Sequence, residues 1–208
     1  MQADAGMPLR GHEVFATSDP DEAREKVAQV FCPHRLDPVG RQAPMAARHH
    51  HLPGERLSLN YIQYGAKTLI APGELGHFYL VQIPIAGGAA IVNGTDRYYS
   101  SPRRAAVLNP HRPTTMIWAE GTRQILVQID RSALEDHLAA QVGARSQRPL
   151  TFHGGLDLTT PSGAAFLRLV GFLVAEADAG RAPIGSGLMA RAVEGALMSG
   201  LLEADCHD

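Results

Sequence analysis

From residue 57 to residue 129 the chain is a succession of short apolar segments, broken at close intervals by Gly, Pro and Asn-Gly. The segments are residues 57–64, 67–71, 78–85, 89–92, 95–99, 105–108, 114–118 and 124–129. Residues 78–85 (FYLVQIPI) are the richest in aromatic and β-branched side chains. About eight strands at this spacing, with no helical pattern between them, predict a sandwich or barrel rather than βαβ units. Gly87-Gly88 and Asn93-Gly94 supply the turns, the second a good hairpin signal. After Ile129 the period changes. Ser132 and Glu135 stand at capping-box spacing, and Leu134, Leu138 and Val142 share a helical face.

The flanks are helical. Asp19 is read as a cap, with Pro20 at the first helical position and Glu22 three residues after the cap. Ala23, Val27, Val30 and Phe31 form one face, and Cys32-Pro33 ends the helix. Residues 1–17 show no periodicity and read as a flexible leader. Residues 39–56 read as extended and residues 145–158 as irregular. Two further helices carry Phe166, Leu169, Val170, Leu173 and Ala177, then Met189, Ala192, Val193, Ala196, Leu197 and Leu201. Ala179-Gly180 and Pro183 separate them, so they read as a helical hairpin.

Composition narrows the function. At 208 residues, 45% hydrophobic and 19% charged, the chain supports a proper core. A net charge of −2 gives no whole-chain case for nucleic-acid binding. Cys32 and Cys206 stand far apart and without CxxC, which reads as reduced thiols in a cytoplasmic protein. No run of about 18 apolar residues is present, so no membrane span is expected. No GxSxG elbow or Cys–His signature marks a nucleophile, and IAGGAA and HGGLD lack the context of a dinucleotide loop. No catalytic residue is therefore assigned. His49 and His51 share a strand face and His50 takes the other, so only two imidazoles could share a metal. No metal site or cofactor is assigned either. Arg48 and these histidines could draw in an anion, or belong to a solvated loop.

Polar and aromatic residues on apolar strands are the candidates for ligand binding. Gln124, Leu126 and Gln128 share one face of their strand, while Ile125, Val127 and Ile129 share the other. Gln82 shares a face with Leu80 and Pro84, opposite Tyr79, Val81, Ile83 and Ile85. One face of each strand lines a barrel interior, and periodicity leaves open which. Apolar walls with a few amides suit a small molecule, although glutamines on strands can equally face water. Met116 and Trp118 share a face and suit an apolar or aromatic ligand, with core packing as the alternative. Tyr64 could close the mouth. The candidate ligand-binding set is Tyr64, Gln82, Met116, Trp118, Gln124 and Leu126. The C-terminal helices are apolar over a wide face, which suggests a dimer interface made by Phe166, Leu169, Val170, Leu173, Met189, Val193, Ala196 and Leu197.

Four stretches carry a family resemblance: DPDEAREKVAQVFCPHRL (19–36), FYLVQIPIAG (78–87), AAVLNP (105–110) and W-x4-RQILVQIDRSALEDHL (118–138). With their order, the chain resembles the N-terminal sensor domain of AraC-type transcriptional regulators over residues 19–204. The resemblance implies an α+β fold: a cupin-like double-stranded β-helix, or jelly-roll barrel, with an N-terminal helix and a C-terminal helical hairpin. It implies a flexible leader at 1–17, a leader helix and effector-binding barrel at 18–142, and a helical dimerisation subdomain at 143–208. It further implies a small-molecule effector, a homodimer, and DNA contact only through a helix-turn-helix domain that this chain does not contain. The chain then reads as a truncated piece of a regulator. Pro102-Arg103 stands where the family commonly has Pro-Gly. Metal-binding cupins resemble one another through an HxH pair with a later Glu and His. His77 stands alone here, so a metal-dependent isomerase or dioxygenase is the alternative. A sensor that has lost its ligand and only pairs subunits is a third possibility.

Overall fold

The computed structural model describes residues 6–40, 43–144, 146–181 and 184–204. Cys206 and Pro183 lie outside the described residues. Among the described residues, twelve strands form two antiparallel sheets. They are β1 (Glu13–Thr17), β2 (Arg35–Pro38), β3 (Ala47–Pro53), β4 (Leu57–Gln63), β5 (Thr68–Gly73), β6 (Phe78–Ala86), β7 (Ala89–Asn93), β8 (Asp96–Ser100), β9 (Arg104–Leu108), β10 (Thr114–Trp118), β11 (Arg123–Asp130) and β12 (Gly155–Asp157). One sheet has seven strands in the order β1-β3-β4-β11-β6-β9-β12. The other has five, ordered β2-β5-β10-β7-β8. The helices are α1 (Pro20–Val30), α2 (Arg131–Val142), α3 (Pro161–Asp178) and α4 (Leu188–Ala204). The fold is an α+β jelly roll of the cupin type, as expected.

Two apolar clusters lie on opposite faces of the seven-stranded sheet, and β11 shows how one sequence serves both. Val127 stands opposite Leu59 and Val81, and Leu126 opposite Asn60 and Gln82. Opposed residues share a face, so each strand alternates between two environments. Tyr61, Tyr79, Val81, Val127 and Ile129 pack with Leu134, Phe166, Leu173 and Leu197 of the helices. Ile62, Leu80, Ala106 and Leu126 pack with Ile70, Ile91, Met116 and Trp118 of the five-stranded sheet. Buried on both faces, β6 is almost wholly apolar, while β4 buries Ser58 and Asn60 among its apolar residues.

Helix α1 forms where its cap says it should. Asp19 Oδ1 accepts from the amides of Asp21 at 2.8 Å and Glu22 at 3.4 Å, and Pro20 opens the helix. Ala23 and Val27 face inward. The C-terminal helices pair as a hairpin, with Thr160 capping α3 through Gly163 N at 3.1 Å. Gly163 is needed for proximity: a Cβ there would run into the carbonyl of Asp157.

The structure revises four expectations. Residues 7–17 are no flexible leader: Met7 and Leu9 are buried in the helix-side core, and β1 pairs with β3. Only Phe15 of β1 is buried, so this edge strand lacks the alternation that would announce it. The stretch read as irregular, 145–158, contains β12, which pairs with β9, so the part of the chain assigned to the helical subdomain contributes a strand to the barrel. Ser132 does not cap α2: the helix begins at Arg131, and Glu135 instead pairs with Arg131 Nε at 2.9 Å. Finally, Phe166, Val170, Leu173 and Leu197 are buried within this chain, against the sheet, and cannot line a dimer interface. Leu169 and Val193 are partly buried against the same core. Of the set, Met189 and Ala196 remain exposed.

Candidate functional site

Between the sheets lies a narrow cavity of about 40 Å³ that opens to solvent, well below the usual size of a ligand pocket. Tyr64, Gln82, Met116, Trp118 and Leu126 all line it, together with Ile62, Ile70, Phe78 and Leu80. The side of β11 that faces inward is therefore Gln124, Leu126 and Gln128. Gln124 is fully buried on that face, directly opposite Ile62 and one pleat repeat from Leu126, just behind the lining. Tyr64 is buried beside Trp118, their ring centroids 5.2 Å apart, rather than standing at the mouth. The half-exposed residues at the cavity are Phe31, Cys32, His34 and Pro72.

The polar groups of this interior are incompletely matched. Met116 Sδ receives Gln82 Nε2 at 3.4 Å and Trp118 Nε1 at 3.2 Å. Gln82 Oε1 and both amide atoms of Gln124 are buried without a hydrogen-bond partner. Folded proteins pair nearly all such groups, and each left alone costs about 1–3 kcal/mol. Gln128, in contrast, accepts from Ser58 Oγ at 2.9 Å.

Two imidazoles flank the cavity, both held neutral. His34 Nδ1 lies 2.9 Å from the Cys32 carbonyl and must carry the proton to donate to it, which leaves Nε2 as an unpartnered acceptor. Burial, above all, pushes its pKa down. His49 is pushed down to about 4, chiefly by burial, against the raising effect of its bond to Asn60. Its ring stacks on Phe31 at 5.6 Å. His49 and His51 share a face as expected, and what they share is Asn60 Oδ1, at 3.0 and 2.8 Å. His50 turns to the other face and bonds the Pro8 carbonyl at 2.7 Å. Among the described residues no group of three or more His, Cys, Asp or Glu is placed to hold a metal ion. Arg48 lies on β3, 3.4 Å from Glu13, and is not part of the cavity wall.

A profile described as AraC-binding-like domain matches residues 23–203. The chain belongs to the AraC-binding-like domain family. A curated relative, the probable thc operon regulatory protein of Rhodococcus erythropolis, is 32% identical over 201 residues, spanning 95% of this chain and 60% of the relative. The chain thus spans about three fifths of the length of that relative. Among solved structures, the AraC-like transcriptional activator CuxR superposes with a TM-score of 0.64 over 91% of this chain and 69% of CuxR. At 10% identity this likeness shows the fold alone.

Sequence reasoning missed part of the AraC-binding-like cavity. Phe31 and His34 sit at and just beyond the end of α1, where the pattern announced only a helix face and a stop. Ile62 was within reach, because it shares a strand face with Tyr64 at i+2.

Proposed function

We propose that this chain is the effector-sensing part of an AraC-type transcriptional regulator. A small molecule enters between the sheets, and its binding alters how an attached helix-turn-helix domain engages DNA. The observation that carries this reading is fully buried Gln82, which lines an apolar cavity with its Oε1 unpartnered, while buried Gln124 lies behind that lining with both amide atoms unpartnered. Such groups suit molecular recognition and serve folding poorly. On this reading the protein is a cytoplasmic binding module and no enzyme. The available switching energy is the difference in effector affinity between the two regulator states.

Trp118 is the only tryptophan and lines the cavity, so its emission reports occupancy. A small-molecule screen against the chain is expected to find a compound that shifts this emission saturably. Leu126→Phe, which fills the cavity from one wall, is expected to weaken that compound at least about tenfold. Saturable emission changes that survive Leu126→Phe undiminished would place binding elsewhere.

A homodimer is part of the same proposal, with its contact surface moved outward from the residues first expected. Phe172, Leu188 and Met189 stand exposed on α3 and α4 by 56%, 86% and 72%, apolar side chains of a kind that association covers. Sedimentation at micromolar concentration is expected to give a dimer, and Phe172→Arg with Met189→Arg a folded monomer. A wild-type monomer sinks the pairing half of the proposal and leaves the sensing half standing.

A further inference from the structure

The hollow between the sheets is too small for an ordinary ligand, but more space adjoins it. A second, open groove of about 250 Å³ is lined by Val30, His51, Ser58, Gln128 and Asp130. Val27 and Phe31 line the hollow and Val30 lines the groove, so the last turn of α1 stands between the two. The sheet runs on beneath this turn. Leu126 lines the hollow, and Gln128, the next residue on the same face of β11, lines the groove. Joined, and with the space of the turn itself, they reach the size at which ligand pockets begin.

Helix α1 is lightly held. It links β1 of the seven-stranded sheet to β2 of the five-stranded one, and of its eleven residues Ala23 and Val27 alone are fully buried. Elements that bury so little open at low cost. At the last turn, Gln128 Nε2 donates to the Val30 carbonyl at a long 3.4 Å, and the Phe31 ring stacks on His49. The closed arrangement serves His49 poorly. The imidazole is fully buried, its Nε2 donates to Asn60 Oδ1, and its Nδ1 has no partner. Gln82 Oε1, in the hollow, has none either. Both are acceptors kept from water, which burdens the closed state. Among the described residues no Lys, Arg, Asp or Glu lines the hollow, so the end of a guest that reaches it is uncharged. We propose that α1 is a stopper, whose last turn lifts to admit an elongated, mostly apolar molecule larger than the hollow. The guest places its uncharged end beside Trp118 and its other end in the groove by Gln128 and His51. This inference rests on the sensing function proposed above.

N-Phenyl-1-naphthylamine, an uncharged dye far larger than the hollow, is the probe, read by the loss of Trp118 emission. It is expected to bind the whole chain saturably, and about tenfold more weakly after Leu126→Phe. The direction of hydrogen exchange in residues 21–31 decides the matter. A guest under a fixed wall slows exchange there, whereas a guest that lifts α1 is expected to speed it about threefold or more. Asp19→Ala removes the cap of α1 and lies outside both linings. It is expected to tighten the dye about fivefold, because more molecules already stand open. Slowed or unchanged exchange in α1 at saturation overturns the stopper and leaves the sensing function standing. An affinity blind to Asp19→Ala does the same, and should that variant not fold, exchange in the parent still decides. Dye binding undiminished by Leu126→Phe also overturns the stopper, because the guest then sits outside the hollow. Should the dye be silent, the compound found by the Trp118 screen replaces it under the same criteria. Silence from dye and screen alike, in the parent and in Asp19→Ala, overturns both proposals.

Discussion

Glu194→Ala is expected to lower the unfolding free energy by about 3 kcal/mol, read as a drop in urea midpoint at unchanged slope. Glu194 sits on α4 with its side chain fully buried, yet its carboxylate is well supplied. Oε1 accepts from the amides of Glu55 at 2.8 Å and Arg56 at 3.4 Å, and Oε2 accepts from Arg56 Nε at 3.2 Å. Arg56 also donates to the Arg191 carbonyl at 3.1 Å. The turn between β3 and β4 is thus bolted to a helix far along the chain. Truncation leaves two backbone amides and a guanidinium without their acceptor. The figure is the lower end of what breaking a buried pair costs, because Arg56 is about one third exposed and water takes over part of the loss. Glu194→Gln, which can still accept, should recover part of the stability. A loss below about 1 kcal/mol for the alanine variant would mean the turn stays satisfied by other means.

Phe166→Ala is expected to cost about 3–5 kcal/mol, whereas Phe172→Ala should stay within about 0.5 kcal/mol. Both are phenylalanines on α3. Phe166 is 1% exposed, in the core between the sheet and the helices, and Phe172 is 56% exposed. Gly200 on α4 packs close to the Phe166 ring, so α4 has no side chain there to fill the hole. Urea unfolding of the two variants, with sedimentation alongside, separates the roles. Were Phe166→Ala to alter association and leave stability alone, its assignment to the intramolecular core would fail.

This contrast also explains what the sequence could and could not tell. Phe166, Val170, Leu173 and Ala177 recur at helical spacing, so the helix itself was legible. A stripe carries no label for what it covers, and here it covers the chain's own sheet. The strands from β4 to β11 were legible because Gly, Pro and Asn-Gly punctuate them. The edge strands β1, β2 and β12 were not: β2 and β12 are 4 and 3 residues long, with a single buried side chain each. The same limit applied within β11, where alternation separated Gln124 and Leu126 from Ile125 and Val127 without saying which pair faced the cavity. The second sheet decides that, and it is built from residues distant in sequence. Gln82 and Gln124 were visible as polar residues on apolar strands. That Gln82 Oε1 and both amide atoms of Gln124 lack partners is a tertiary fact, invisible until the neighbouring side chains are placed.

The seven-stranded sheet is a shared diaphragm. Leu126 presses on one side of it and Val127, the next residue, on the other, less than a side chain's length away. A guest that pushes on Gln82 or Leu126 strains the same strands that seat Phe166, Leu173 and Leu197. Packed interiors yield little to compression, so displacement on the hollow side reaches the helical side directly. Communication between the two compartments then needs no relay of residues: it is a matter of the thickness of one wall.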